Sequence, residues 1–154
     1  MALEITAAYN DLENIKTLFT EYTNMLGVDL AFQGFQAELK TLPGKYSLPK
    51  GRLFTAYYDN KLAGCIALRS FGENGCEMKR LFVRPEFRKC HIGKILVDKI
   101  IEEARNIGYD YMVLDTLSTL TGAVNLYRKK GFKEVDAYYD NPLEDVLYFK
   151  LDLK

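Results

Sequence analysis

The chain has 154 residues, 48% of them apolar, a size and composition that suit one folded domain with a substantial core over residues 1–154. Twenty-one Lys and Arg balance twenty-one Asp and Glu, so the strongly basic field that wraps nucleic acid or an anionic membrane is absent, and neither partner is expected. Cys65, Cys76 and Cys90 fit no Cys-x-x-Cys spacing and His91 is the only histidine, so no metal site is expected and the chain reads as a reduced, cytoplasmic protein. The opening MALEITAAYNDLENIK has no basic segment followed by an apolar core, and no run approaches the roughly 20 apolar residues of a membrane span.

Gly, Pro and Asn-Asp pairs punctuate the chain into short elements without repeats or low-complexity linkers. Leu3 to Ala8 reads as a strand. Asn10 with Glu13 three residues on forms a capping-box pattern ahead of Leu12, Ile15, Leu18, Phe19, Tyr22, Met25 and Leu26, the spacing of an amphipathic helix. A weaker helical stretch from Phe32 to Leu42 stops at Pro43-Gly44. Arg52 to Tyr58 and Leu62 to Arg69 flank Asp59-Asn60 as a hairpin, and Cys76 to Val83 supplies the next strand. Ile92 to Ile107 carries an apolar helical stripe ended by Gly108. Tyr111 to Thr116 reads as a buried strand, Ala123 to Lys130 as a helix closed by Gly131, and Phe132 to Tyr138 with Asp145 to Leu151 as a last pair of strands. The order is mixed α/β.

The segment RPEFRKCHIGKIL joins the strand ending at Val83 to the helix beginning at Ile92. Backbone N–H groups at a helix start lack intrahelical partners and favour anions, and Arg88, Lys89 and Lys94 add charge there. The guest this junction suits is a phosphate or pyrophosphate. It is not a dinucleotide-binding GxGxxG turn, nor a Walker loop, since the first Gly and the Ser or Thr after Lys are missing. The alternative reading is a set of solvated cations beside a Gly93 that eases close packing.

The stretch EMKRLFVRPEFRKCHIGKILVDKIIEEA, followed by LYRKKGF, resembles the GNAT superfamily of acyl-CoA-dependent N-acetyltransferases, with the likeness extending from about Arg52 to Leu151. The resemblance implies an α/β (α+β) GNAT fold, a central, mostly antiparallel twisted sheet of about seven strands flanked by about four helices. It implies acetyl-CoA as co-substrate, without a metal. In the family's Gln/Arg-x-x-Gly-x-Gly/Ala loop, Arg88 takes the first position and Gly93 the last, while His91 stands where the first glycine is usual. A Cβ there is compatible with a cofactor loop if the φ of His91 is negative. By resemblance, Leu81, Phe82 and Val83 present backbone to the pantetheine arm, and Arg88, Lys89, Cys90, His91, Ile92, Gly93 and Lys94 grip the pyrophosphate.

Attack on the thioester requires a neutral amine, yet an alkyl ammonium of pKa ~10.4 is deprotonated only about once in ~2,500 molecules at pH 7, a deficit of roughly 4–5 kcal/mol. A general base is therefore useful. By resemblance the preferred base is Glu77, eleven residues before Arg88; Asp115, twelve residues before Tyr127, is the position other members use. For each, the plain reading is a strand carboxylate paired with a neighbour such as Lys79. Tyr127 takes the family position of the acid that protonates the departing thiolate, against a plain reading as helix packing.

Residues 26–47 and 137–145, which contain Phe32, Phe35, Tyr46, Tyr138 and Tyr139 beside Gln33, Asn141 and Glu144, are expected to select the acceptor. A small amine or amino-acid-like molecule is the expected substrate of a monomer or homodimer. The other readings are a peptide N-acetyltransferase, a non-catalytic acyl-CoA sensor, and an α/β protein whose loop holds a nucleotide.

Overall fold

The computed structural model describes residues 2–27 and 34–154. Its elements are β1 (Leu3–Ala7), α1 (Leu12–Leu26), α2 (Phe35–Thr41), β2 (Arg52–Tyr58), β3 (Lys61–Phe71), β4 (Gly75–Val83), α3 (Ile92–Ile107), β5 (Tyr111–Leu117), α4 (Thr121–Lys129), β6 (Lys133–Val135) and β7 (Val146–Asp152). The strands form one sheet in the order β1-β2-β3-β4-β5-β7-β6, antiparallel throughout except where β4 and β5 run parallel. This is the seven-stranded, four-helix GNAT architecture. Among the described residues no helix is long and apolar enough to cross a membrane.

Local chemistry accounts for the regular parts. Asp59 and Asn60 both take positive φ, 49° and 67°, the backbone of a tight hairpin turn whose twist matches that of the strands it joins. In α3 the residues Ile92, Leu96, Val97, Ile100, Ile101 and Ala104 bury one stripe, and Gly108, at φ 103°, turns its N–H back to the Ala104 carbonyl at 3.1 Å. Two cores result. One lies between the sheet, α3 and α4, with Ile66, Met78, Ile100, Met112 and Phe149; the other lies under α1 and α2, with Ile15, Leu18, Phe19, Leu53 and Phe82.

Several expectations need correction. No capping box forms at α1: the residue before the helix is Asp11, whose carboxylate accepts hydrogen bonds from Asn14 Nδ2 at 2.8 Å and from the Tyr57 hydroxyl instead of from the helix backbone. The α2 helix begins at Phe35, and Phe32 and Gln33 lie outside the described residues. The junction before α3, to which sequence reasoning assigned no regular structure, coils into a 3₁₀ turn at Pro85–Cys90. The strand expected from Phe132 to Tyr138 shortens to Lys133–Val135, since the chain beyond it turns its side chains inward onto the sheet.

Two irregularities position the site. Parallel pairing of β4 with β5 covers only Gly75–Glu77 against Tyr111–Val113, and beyond it the two strands continue without pairing to each other. In the β3–β4 ladder Cys65 faces Phe82 and Ala67 faces Lys79, so Ile66 opposes two residues, Arg80 and Leu81, and Arg80 sits at φ 60°. Such a bulge bends the strand and re-aims its side chains.

Candidate active site

A cleft of about 510 Å³ opens where β4 and β5 stop pairing. Met78 to Val83 form one wall and Asp115 to Leu117 the other, with the end of α1 and the start of α4 closing the sides.

The outer end of the cleft suits a phosphorylated, extended guest. The first helical bond of α3 runs from the Ile95 N–H to the His91 carbonyl at 3.2 Å, so the N–H groups of Ile92, Gly93 and Lys94 lie ahead of the helical ladder. A Cβ built on Gly93 would meet only Leu126 and Val83, each at 3.9 Å, so packing does not demand glycine there; the missing side chain leaves a cradle between them. Of the residues expected to hold a cofactor, Leu81, Phe82, Val83, Arg88, His91, Gly93 and Lys94 line the cleft. Lys89 points to solvent, Cys90 is half-buried against the core, and the Ile92 side chain is wholly inside it. Arg88 reaches back across the mouth, its Nε donating to the Val83 carbonyl at 3.0 Å.

His91 does not have the negative φ expected of it. It is exposed at φ 60°, ψ 21°, the left-handed region, which costs a residue with a Cβ roughly 1–2 kcal/mol. The backbone thus keeps the glycine conformation although the side chain is histidine.

At the inner end the three proposed catalytic groups are not equivalent. Glu77 is 1% exposed; its Oε1 accepts from Arg69 Nε at 2.8 Å and its Oε2 from the Tyr138 hydroxyl at 2.6 Å. It does not line the cleft. Asp115 does, with Oδ2 accepting from the Tyr139 hydroxyl and, at 3.5 Å, from Asn141 Nδ2. Tyr127 also lines the cleft, its ring packed edge-on against Phe132 at 5.8 Å and tilted against Phe149 at 6.2 Å. Burial, then the nearby Tyr22 and Asp115, raise its phenol above the ordinary value, so it holds its proton firmly. Burial and the Glu77 charge likewise keep Tyr138 protonated, as a donor to that carboxylate.

Beneath the bulge lies a charge cluster. Arg80 grips Glu38 through Nε–Oε2 at 3.0 Å and Nη2–Oε1 at 3.2 Å, and Lys45 joins at 3.2 Å. Burial alone would raise the Glu38 carboxyl, but the Arg80 and Lys45 charges hold it below the usual range. The Arg80 guanidinium also lies over the rings of Phe35 and Tyr22, at 5.6 and 6.0 Å. Lys79, Arg80, Tyr22 and Asn141 all line the cleft. Sequence reasoning assigned no role to Arg80 or Tyr22, named Asn141 only as a polar residue of the acceptor-selecting segments, and weighed Lys79 only as a partner for Glu77. The bulge that brings the two cations together carries no Gly or Pro to mark it.

Residues 12–132 match the acetyltransferase (GNAT) family. An uncharacterized N-acetyltransferase of Schizosaccharomyces pombe is 45% identical over 145 residues, covering 93% of this chain and 89% of that protein. The fold is shared with an acetyltransferase of the GNAT family from Staphylococcus aureus, with TM-score 0.82 and 23% identity across 99% of this chain and 100% of that one. It is shared also with the PaiA N-acetyltransferase of Thermoplasma acidophilum, solved in complex with coenzyme A, with TM-score 0.76 and 21% identity across 99% of each chain. The cleft between β4 and β5, the cradle ahead of α3 and this match together show that the chain belongs to the GNAT family of N-acetyltransferases.

Proposed function

We propose that the protein transfers an acetyl group from acetyl-CoA to the primary amine of a small acceptor, with Asp115 as the base and Tyr127 as the acid. The observation that supports it is the convergence of Asp115 and Tyr127, from β5 and α4, on the one cleft that also exposes β4 and the α3 cradle. Acetyl-CoA, when bound, supplies an acetyl thioester. The N–H groups ahead of α3 would hold its diphosphate, and Lys94 would add charge. The backbone of Leu81, Phe82 and Val83 would align its pantetheine arm.

Asp115 is placed to take the proton from the acceptor's ammonium onto Oδ1, the oxygen that Tyr139 and Asn141 leave open. Glu77 lacks such an opening, with both oxygens engaged. Tyr127 would pass its hydroxyl proton to the departing sulfur and regain one from the nitrogen as the amide forms; its position in the cleft, rather than driving force, supports this role, because a raised phenol is a weak acid.

The test is free-thiol release from acetyl-CoA across a panel of alkyl amines, amino acids, polyamines and peptides. Thiol release stoichiometric with acetylated amine is expected. Release absent from every amine, with no thermal shift at millimolar acetyl-CoA, would overturn the reading.

A further inference from the structure

The bulge in β4 places two consecutive cations on the face that looks toward α1 and α2. Met78 belongs to the core under α3, whereas Arg80 bonds Glu38 of α2 and Phe82 packs in the core under α1. Lys79 therefore stands beside Arg80 rather than opposite it.

Their situations differ. Arg80 and Lys45 both pair with Glu38, and Arg69 holds Glu77 at 2.8 Å. Lys79 has a side chain only 9% exposed and, among the described residues, no hydrogen bond; its nearest carboxylate oxygen there, Glu77 Oε1, is 4.0 Å away and already bonded to Arg69. Tyr138 occupies the other Glu77 oxygen, and Asp115, whose Oδ2 accepts from Tyr139 and Asn141, makes no ion pair with Lys79 among the described residues. Lys45, Arg69 and Arg80 thus each have a carboxylate oxygen within about 3.2 Å, whereas Lys79 has none nearer than 4.0 Å among the described residues. A nearly buried ammonium without hydrogen-bonded compensation is costly, and a carboxylate brought to it removes that cost.

We propose that Lys79 receives a carboxylate of the acceptor, so that the substrate class is an amine that also carries a carboxylate, such as an amino acid or an aminoalkanoate. This rests on the acetyl-transfer reading of the cleft. The arrangement divides the labour at the inner end: Lys79 on β4 holds the acceptor's acid group, and Asp115 on β5 faces its amine.

The assignment carries a pH signature. Burial lowers the Lys79 amine from 10.5 to about 8, with Glu77 and Asp115 opposing the shift and Arg80 and Lys45 reinforcing it. Glu38 is neutralised by Arg80, and Tyr22, Tyr46 and Tyr138 stay neutral because burial raises their phenols. Below about 8 the empty site is charged and attracts a carboxylate; above it the charge is lost and attraction falls.

The experiment compares matched acceptors, 4-aminobutyrate against butylamine and leucine against 3-methylbutylamine, by thiol release from acetyl-CoA at pH 6.5–9.5, a span of roughly three units around an ordinary assay pH. In at least one pair the acid-bearing member is expected to have about tenfold higher kcat/KM, carried by KM, with the advantage shrinking above pH ~8. Lys79→Met should bring the ratio close to unity, and Lys79→Arg should retain part of it. Amines turned over with no carboxylate advantage at any pH, or an advantage that survives Lys79→Met, would overturn the proposal. The wild-type ratio and its pH trend decide the matter even where a variant fails to fold. Thiol release from no amine at all overturns the acetyl-transfer reading itself and this assignment with it.

Discussion

The Tyr138 hydroxyl donates to Glu77 Oε2 at 2.6 Å across 61 residues of sequence, and with Arg69 on the other oxygen it closes that carboxylate off from the cleft. Asp115, one strand away, lines the cleft, and its hydrogen bonds from Tyr139 and Asn141 both fall on Oδ2, so that Oδ1 takes none among the described residues. Asp115→Asn is therefore expected to lower kcat by about 10²- to 10⁴-fold with acetyl-CoA affinity retained, and raising the pH should partly restore the rate by supplying neutral amine from solution. Glu77→Gln should act chiefly on stability, by about 1–3 kcal/mol, because it leaves Arg69 and Lys79 without their charge partner. Steady-state kinetics and denaturant unfolding of both variants check this; a rescuable kinetic loss in Glu77→Gln alone would reverse the two roles.

Tyr127→Phe keeps the ring contacts with Phe132 and Phe149 and removes a hydroxyl that makes no hydrogen bond among the described residues. Stability should stay within about 0.5 kcal/mol of the parent. Turnover should fall while acetyl-CoA binding persists, and high pH should not restore it, the pattern of a contact made in the transition state. Calorimetric binding beside pH–rate profiles separates this from a packing role, which would leave the kinetics unchanged.

Breaking the Glu38–Arg80 pair takes a two-point charge partner from a buried guanidinium, so Glu38→Gln should cost up to about 3–5 kcal/mol in urea unfolding. Replacing both residues together, as Glu38→Leu with Arg80→Met, should recover much of that loss. The sign with pH follows from the lowered Glu38 carboxyl: the pair's contribution is complete above the ordinary value of 4.5 and is lost as pH falls through the lower folded value. Acid unfolding of the parent should therefore be steeper below pH ~4 than that of the apolar double variant.

At His91 the left-handed backbone, at φ 60°, is one that glycine adopts freely. His91→Gly removes a strain of roughly 1–2 kcal/mol and adds a chain-entropy cost of about 0.5–1 kcal/mol, for a net gain of up to about 1.5 kcal/mol. Turnover should be retained and acetyl-CoA affinity kept or improved. Thermal unfolding and titration calorimetry measure both quantities, and a large fall in turnover at unchanged affinity would instead make the imidazole catalytic.

Much of the fold was legible because it is written in local pattern. The apolar stripe from Ile92 to Ala104 and the glycine at 108 delimit α3 as Ile92–Ile107 at the residues expected, since helix period and terminator lie within one segment. Asp59-Asn60 specified its own turn, because both residues tolerate positive φ. The segment from Glu77 to Ala104 and LYRKKGF carried the family resemblance, which the match over residues 12–132 shows to be membership. What the tertiary structure alone decided is where the chain's charges meet. The positive φ of Arg80 has no glycine beside it to announce it; it sits at the bulge where Ile66 faces two residues of β4, and there the guanidinium meets Glu38, 42 residues away. The short β6 and the inward turn of Tyr138, Tyr139 and Asn141 decide which carboxylate is sealed and which stays open. Such contacts join residues tens of positions apart through burial and hydrogen bonding, and neither propensity nor period, which reach only a few residues along the chain, can encode them.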